Sequence, residues 1–415
     1  MTYLSTISTY LPPWEKAGRR LPGGDEDTVT MAVEAGQAAL DSASPVRPAH
    51  DAQACVERVV LVTRDLPLLE GGNAAALLAG LGLPRDIEVV ERIGGAPTAL
   101  DAVLSARPRT LVIAADLDPA GAGAALVAAE GLHLRPVSRV NRSLPVMTRS
   151  GDGAAHSYDD PRLLRERGLK ESLRQAGPQD KATVVAGVPH GQAKALCAGE
   201  PPRLPTLGAS ATMFALAALA ERGASAPALL VASEQAMLTA AAADATPAAG
   251  TAPVTVLRLE PEARPVPVAR HTPGPEIPLS LAAYERAFDS KVRWEAARCD
   301  GCGTLAYPPR HRCRECGAES RWSSVPLPRR AEVYTAVTVH VPVPGLSTPF
   351  SLAMVQLAGL DVRVLVKTTA SEAGSVAIGD TGRMTLRRVA VRSGVPDYGY
   401  AFWPDGAAGH AEVTA

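Results

Sequence analysis

Cys299-Asp300-Gly301-Cys302 and Cys313-Arg314-Glu315-Cys316 form two turns with ten residues between them. Two residues between paired cysteines let a tight turn aim both sulfurs at one point, the arrangement a tetrahedral zinc ion needs. Gly301, Gly303 and Gly317 stand where each turn is expected to take positive φ. With Cys299, Cys302, Cys313 and Cys316 filling all four positions, no site is left for water, so the metal is expected to be structural zinc. An iron–sulfur centre or a redox dithiol is the other chemistry open to the same four thiolates.

Beyond these turns the sequence changes to period-two alternation at 331–341, 351–357, 362–367 and 381–391, the pattern of a small closed barrel of short strands. In the other direction, 279–294 reads as a short amphipathic helix, and the proline-rich stretch 261–278 as a linker.

Further upstream, strands and helices alternate. A capped helix is expected over 25–41, opening with Asp25-Glu26-Asp27-Thr28, its acids at the positive end. There follow a strand at 59–62, a helix at 73–81, a strand at 87–90, a helix at 97–106 and a buried-strand run at 110–115. The order then recurs, with a strand at 183–188, helices at 192–197 and 210–221, and strands at 228–232 and 254–259. In both halves a glycine introduces the later helix, as Gly94-Gly95-Ala96-Pro97 and as Gly208-Ala209-Ser210-Ala211. This duplication predicts layered α/β sheets. Between the halves, Asp159 to Gly168 is expected to form a capped helix bearing several arginines. The expected organisation is an α/β domain at 1–260, the linker at 261–278, helix and ribbon at 279–325, a barrel at 326–405 and a tail at 406–415.

The chain of 415 residues is long enough for two or more cores. Lys and Arg number 42 against 43 Asp and Glu, so no long-range field draws it to nucleic acid or an anionic membrane. Residues 1–15 hold no apolar signal-peptide core behind a basic start, no run of eighteen apolar residues follows, and a cytoplasmic location is expected. Cys55 and Cys197 stand apart from the cluster and read as structural thiols.

Two resemblances refine these expectations. Trp294-Glu-Ala-Ala-Arg-Cys-Asp-Gly-Cys-Gly303, Tyr307-Pro-Pro-Arg310 and Gly399-Tyr-Ala-Phe402 resemble the acyl-CoA-associated zinc-ribbon and OB-fold family over about 279–405. That resemblance implies a place beside thiolase-like enzymes and a CoA-linked ligand. Residues 1–260 resemble the hydroxymethylglutaryl-CoA synthase branch of the thiolase superfamily, through Ser8-Thr9-Tyr10-Leu11-Pro12, Asp25-Glu26-Asp27-Thr28-Val29-Thr30-Met31-Ala32 and the duplicated order. The fold class implied is α/β, a duplicated thiolase-like fold of layered sheets followed by a zinc ribbon and a small all-β OB-fold barrel.

Chemistry in that branch needs a cysteine at a helix start, with His, Asn and Glu around it. Here the matched loop Arg92-Ile93-Gly94-Gly95-Ala96-Pro97 puts Ile93 or a glycine at the nucleophile position, Arg64 near the Glu position and Ala209 at the Asn position. His190 and Ser210 are the candidate catalytic residues that remain; neither alone makes an acyl-transfer machine.

The expected function is therefore an acyl-CoA-binding, non-catalytic or auxiliary subunit of a thiolase-type acyltransfer or carbon–carbon bond-forming complex. It would be a homodimer or a partner of a thiolase-like enzyme, with Arg310 and Arg312 meeting CoA phosphates. An active condensing enzyme that uses Ser210 or His190 is the alternative. Single-stranded nucleic-acid binding by the ribbon arginines is a third reading, weakened by the scarcity of aromatic residues, 4% of the chain.

Overall fold

The computed structural model describes residues 2–42, 56–69, 71–149, 154–158, 160–177, 181–222, 227–244, 253–319, 322–407 and 411–414. Its first half contains β1 (Thr2–Tyr10), α1 (Thr28–Ser42), β2 (Arg58–Thr63), α2 (Asn73–Leu81), β3 (Glu88–Ile93), α3 (Ala96–Ser105), β4 (Thr110–Leu117) and β5 (Ala120–Ala128). The second half contains β6 (Leu132–Asn141), β7 (Val184–Ala186), α4 (His190–Leu196), α5 (Ala211–Arg222), β8 (Ala228–Glu234), β9 (Met237–Ala243) and β10 (Thr255–Leu259).

The strands lie in the order β7-β8-β9-β6-β1-β5-β4-β2-β3. Each half uses the same scheme. A parallel pair (β2–β4, β7–β8) leads through an antiparallel hairpin (β4–β5, β8–β9) back to that half's first strand (β1, β6). The position of β3 is reduced in the second half to one parallel bridge, Ala182 to Cys197. The halves join where β1 and β6 pair antiparallel at Leu4 and Leu132.

Strand alternation builds the layers. On β2 and β4, Val59, Leu61, Leu111 and Ile113 face α1 and α2, while Val60, Val62, Val112 and Ala114 face α3 and α5, which pack together between the half-sheets. A third cluster, with Val185, Val231, Leu238 and Ala193, covers the far face of the second half. Strands buried on both faces become near-continuous apolar runs, which is why these were legible.

The strands β5 (AGAGAALVA) and β9 (MLTAAAA) were not expected, because alanine and glycine carry little strand propensity. Packing explains their composition. A Cβ on Gly123 of β5 would stand 2.4 Å from the Cβ of Met213 on α5, so only a small residue lets the helix lie on the sheet.

The helix α1 starts at Thr28, later than expected, with Asp27 as its cap. The Asp27 carboxylate accepts the N–H of Thr30 (3.0 Å), and the Thr30 hydroxyl accepts the N–H of Asp27 (2.8 Å). The arginine-bearing segment is helical from Pro161 to Ala176, with Leu164–Lys170 wound as a π-helix and Asp160 as its N-cap. Asp159 lies outside the described residues.

After α6 (Leu281–Lys291), the ribbon is β11 (Glu295–Cys299), β12 (Leu305–Ala306) and β13 (Trp322–Pro326). The barrel is β14 (Arg330–Val339), β15 (Phe350–Leu357), β16 (Arg363–Lys367), β17 (Thr381–Arg392) and β18 (Val395–Pro404), in the order β16-β15-β14-β17-β18. A parallel bridge from Thr368 to Phe402 closes it, the Thr369 N–H donating to the Phe402 carbonyl at 2.9 Å. This is the five-stranded all-β OB barrel expected.

Two stretches differ from expectation. Within 261–278, Arg264–Pro265 pairs parallel with Trp14–Lys16 and Arg270–His271 pairs antiparallel with Ser347–Thr348. The presumed linker is thus a strap laid along both domains, its prolines tolerated because the pairings are short and at edges. In the presumed tail, Ala411–Thr414 pairs antiparallel with β10, a backbone match with no periodic signal in four residues.

The barrel packs on α1 and α2. Barrel residues Val333, Leu386 and Phe402 share a core with Val33 and Leu77. A Cβ on Gly80 of α2 would lie 2.6 Å from Val33 and 2.8 Å from Leu386, so this glycine sets the approach. Arg387 of β17 is fully buried at this interface, 2.8 Å from Glu34 of α1 and 3.5 Å from Glu26, and Arg383 meets Glu34 at 2.7 Å. Burial works to raise the Glu34 carboxyl, but the two guanidiniums overcome it and hold the group at about 2.

Candidate functional site

Two knuckles, each closed by its own backbone, bring the four cysteines together. The N–H of Gly303 donates to the Cys299 carbonyl (2.8 Å), and the N–H of Gly317 to the Cys313 carbonyl (3.1 Å). Gly303 and Gly317 have φ of +77° and +71°; Gly301 is not left-handed, which corrects that part of the reading. A Cβ there would meet the Cys316 sulfur at 3.6 Å, an ordinary contact, so the structure does not require glycine at 301.

The four sulfurs lie within 4.8 Å of one another, with Cys299 to Cys316 at 3.6 Å and Cys302 to Cys313 at 3.5 Å. A zinc–sulfur bond of about 2.3 Å gives a tetrahedron with edges of roughly 3.8 Å, so the cluster fits zinc with little adjustment. Cys299 and Cys313 are buried while Cys302 and Cys316 are exposed. The ion would pin the ribbon rather than serve a substrate.

Beside the ribbon lies a pocket of about 510 Å³ between β13 and the β15–β16 turn. Arg310, Arg312, Arg314 and Arg363 line it against only two acids, Glu315 and Asp361. The Arg312 Nε donates to the Gly317 carbonyl (3.2 Å), bracing the second knuckle, and the Arg363 guanidinium stacks 3.7 Å over Tyr334. The Trp322 indole Nε1 is buried with no hydrogen-bond partner among the described residues. Arg310 and Arg312 are therefore brought together, and Arg314, Arg363 and Trp322 join them from segments that the sequence did not connect.

In the α/β domain the positions matched to the nucleophile loop converge near the α3 start. Ile93 ends β3, 69% exposed, and Arg64 follows β2. Arg64 pairs with Glu234 at the end of β8 (2.8 Å), and the Glu234 carboxylate accepts the N–H of Gly95 at the N-terminus of α3. Burial raises the Glu234 carboxyl, with Arg64 opposing.

The other half mirrors this. Asp116, near the end of β4, accepts the N–H groups of Ala209 and Ser210 at the start of α5, each at 2.8 Å, and the Ser210 hydroxyl. Burial pushes Asp116 up to about 6 against those hydrogen bonds, with nearby Asp65 adding to the rise. A carboxylate from each half's β4- or β8-type strand thus closes the helix N-terminus of the opposite half.

Ser210 is fully buried and gives its proton to Asp116 while also meeting the Thr206 hydroxyl at 2.8 Å. His190 opens α4, its Nε2 3.2 Å from the exposed carboxylate of Glu200. Sequence reasoning missed Asp116 and Glu234. The available signal was an acid just before the hairpin in each duplicated half, in Asp116-Leu117-Asp118 and Ser233-Glu234-Gln235. Cys197 is a buried thiol whose proton is held by burial against the pull of Arg222. Cys55 lies outside the described residues.

Comparison with known proteins places the C-terminal part. Residues 293–320 match the family model of the ChsH2 rubredoxin-like zinc ribbon domain, and 324–387 that of the ChsH2 C-terminal OB-fold domain. A DUF35 domain-containing scaffold protein of Methanocaldococcus jannaschii is 29% identical over 111 residues, 26% of this chain and 78% of that protein. Among solved structures, an Ltp2-ChsH2(DUF35) aldolase covers 31% of this chain and 98% of its own at 23% identity, TM-score 0.25. PksG, a HMG-CoA synthase from Bacillus subtilis, covers 59% of this chain and 79% of its own at 15% identity, TM-score 0.43.

Proposed function

We propose that this chain, with its ChsH2-type zinc ribbon and OB fold joined to a duplicated α/β domain, is an acyl-CoA-binding, non-catalytic partner of a thiolase-type acyltransfer or carbon–carbon bond-forming enzyme. One observation carries the reading: Glu234 and Asp116 already occupy the helix N-termini of α3 and α5. An acyl-transfer site of the implied kind needs a nucleophile and an oxyanion at such a terminus. A resident carboxylate takes the backbone N–H group an oxyanion would use, and Ile93 offers nothing to acylate.

The arginine-lined pocket is the counterpart. Arg310 and Arg312, with Arg314 and Arg363, form the excess of cations that a 3′-phosphate and pyrophosphate call for. Thus the CoA end of a thioester would be held here while a partner does the chemistry.

A partner also has an edge to use. β3 ends the large sheet, with Val89 and Val90 half-buried beside the charged Glu88, Glu91 and Arg92, which would select the partner that pairs there. A second copy or a thiolase-like enzyme adding a strand there would extend the sheet. No helix among the described residues is long and apolar enough to cross a membrane, and the five described cysteines are unpaired, which suits a reducing, cytoplasmic setting.

The test is incubation of the purified chain with acetyl-CoA, followed by intact mass measurement and a CoA-release assay. The proposal expects saturable CoA binding, no acyl increment and no turnover. A stable acyl increment on any residue, or turnover at an enzymatic rate by the chain alone, refutes the non-catalytic part.

A further inference from the structure

A larger cavity, about 790 Å³, opens where three parts of the chain meet: Trp14 and Asp25 of the α/β domain, the strap at 265–271, and the barrel around Phe350, Lys367 and Arg388. Its size is that of a small-molecule site. No segment named so far gives it a role.

Lys367 is the unusual group on its wall. Burial lowers its ammonium from the ordinary value, with Asp25 acting weakly the other way. No carboxylate among the described residues stands within ion-pair distance of its Nζ, which lies over the face of Phe350, 5.0 Å to the centroid. A half-buried ammonium is costly without an anion. Arg388 lines the same cavity, its guanidinium donating to the Gly24 carbonyl at 3.3 Å, while fully buried Arg387 behind it is already matched by Glu34 and Glu26. The Ser371 hydroxyl on this wall is buried and has no hydrogen-bond partner among the described residues.

The charge balance selects the ligand. Asp25 and Glu372 share the cavity with Lys367 and Arg388, and the charge of Arg387 is spent on Glu34 and Glu26, so a polyphosphate would meet as much repulsion as attraction, in contrast to the arginine pocket. The rest of the wall carries an apolar stretch from Trp14, Val266, Val268, Leu346, Phe350 and Val391, with His271 and the hydroxyls of Ser347 and Thr368 between them. We propose that this seam cavity binds a carboxylate carried on an apolar body, with Lys367 Nζ as the group that receives the carboxylate. The free acid and a molecule bearing the same carboxylate at its far end are the two sources; an acyl-CoA without a free carboxylate is excluded. The inference goes beyond the acyl-CoA reading and does not depend on it.

The experiment is isothermal titration of the full-length chain with sodium dodecanoate, dodecanol, dodecanedioate and lauroyl-CoA. Saturable binding of dodecanoate or dodecanedioate, with dodecanol weaker by about tenfold or more, is expected, since a charge-assisted hydrogen bond is worth that much. Binding of dodecanedioate alone assigns the second source. Lys367→Met should erase the acid's advantage over the alcohol. Should that variant misfold, Val268→Asp at the 94% exposed rim adds a negative charge and should weaken the acids alone. Equal affinity for acid and alcohol, no saturable binding of either acid, or acids displaced only through Arg310→Ala overturns the assignment. Lauroyl-CoA binding that survives Lys367→Met leaves the arginine pocket reading standing by itself.

Discussion

Arg387 and Arg310 belong to the same C-terminal module and meet opposite surroundings. Arg387 has no exposure, and Glu34 and Glu26 of the first domain neutralise it. Arg310 lines an open pocket with three other arginines and no carboxylate within ion-pair distance among the described residues. The same contrast divides the two domains. In the α/β core even the helix termini are answered from within, by Glu234 and Asp116, whereas the ribbon and barrel leave arginines lining a cavity. Buried charge that is fully matched acts as architecture, and charge left unmatched at a cavity is where a ligand gains most.

Removing zinc is the strongest way to break this contrast. A closed four-cysteine site contributes folding free energy directly, on the order of 10 kcal/mol. Chelation or Cys299→Ser should unfold the ribbon, erase the arginine pocket and abolish CoA binding, while the α/β core keeps its own transition. Calorimetry with metal analysis checks it, and an unchanged thermogram after verified metal loss contradicts it.

Next in size is the barrel interface. Arg387→Ala strands Glu34 and Glu26 without their shared partner and should cost about 3–5 kcal/mol. Arg387→Met combined with Glu34→Met should recover much of that, as judged by denaturant unfolding. The pH dependence sharpens the point. Glu34 titrates at about 2 when folded against an ordinary 4.5, so its contribution is complete above pH 4.5 and is lost as the pH falls towards 2.

Asp116 carries the opposite sign. Its folded value is about 6 against an ordinary 3.8, so the native state holds the proton more tightly and unfolding between those values releases it. Stability from this group is therefore highest below pH 3.8, declines as the pH rises to 6, and changes by no more than about 3 kcal/mol. Asp116→Asn should flatten that decline while weakening the α5 cap by about 1 kcal/mol. A wild-type stability profile unaltered by the substitution between pH 4 and 6 argues against the assignment.

The smallest effect on folding should come from the open side. Arg310→Ala with Arg312→Ala should leave melting nearly unchanged, since exposed charges contribute little to stability. The pair should weaken CoA binding by about tenfold or more and reduce its salt dependence. Loss of stability without loss of affinity would assign these arginines to bracing the second knuckle.

What the sequence disclosed follows the same division. The cysteine spacing, the doubly buried runs at β2 and β4 and the alternating barrel strands are local patterns, and local patterns survive in one dimension. The strands β5 and β9 did not, because their alanines and glycines are dictated by helices packing on them from distant parts of the chain. The strap and the pairing of Ala411–Thr414 rest on backbone hydrogen bonds that any side chains permit. Of the site, the metal ligands were plain, and Arg310 and Arg312 were named for their charge. Arg363 and Trp322 complete their pocket only through folding, as Asp116 and Glu234 reach α5 and α3 only across the duplicated halves.

The ion pair between Glu34 and Arg387 spans 353 residues of chain. At ordinary elongation rates Glu34 leaves the ribosome about 20–70 seconds before the arginine that matches it. Throughout that interval the first domain presents a nascent surface on which Val33 and Leu77 have no cover and two carboxylates have no counter-charge. An N-terminal fragment released before the barrel is made should therefore expose that surface to chaperones, and the barrel, arriving later in synthesis, supplies both the cover and the counter-charge.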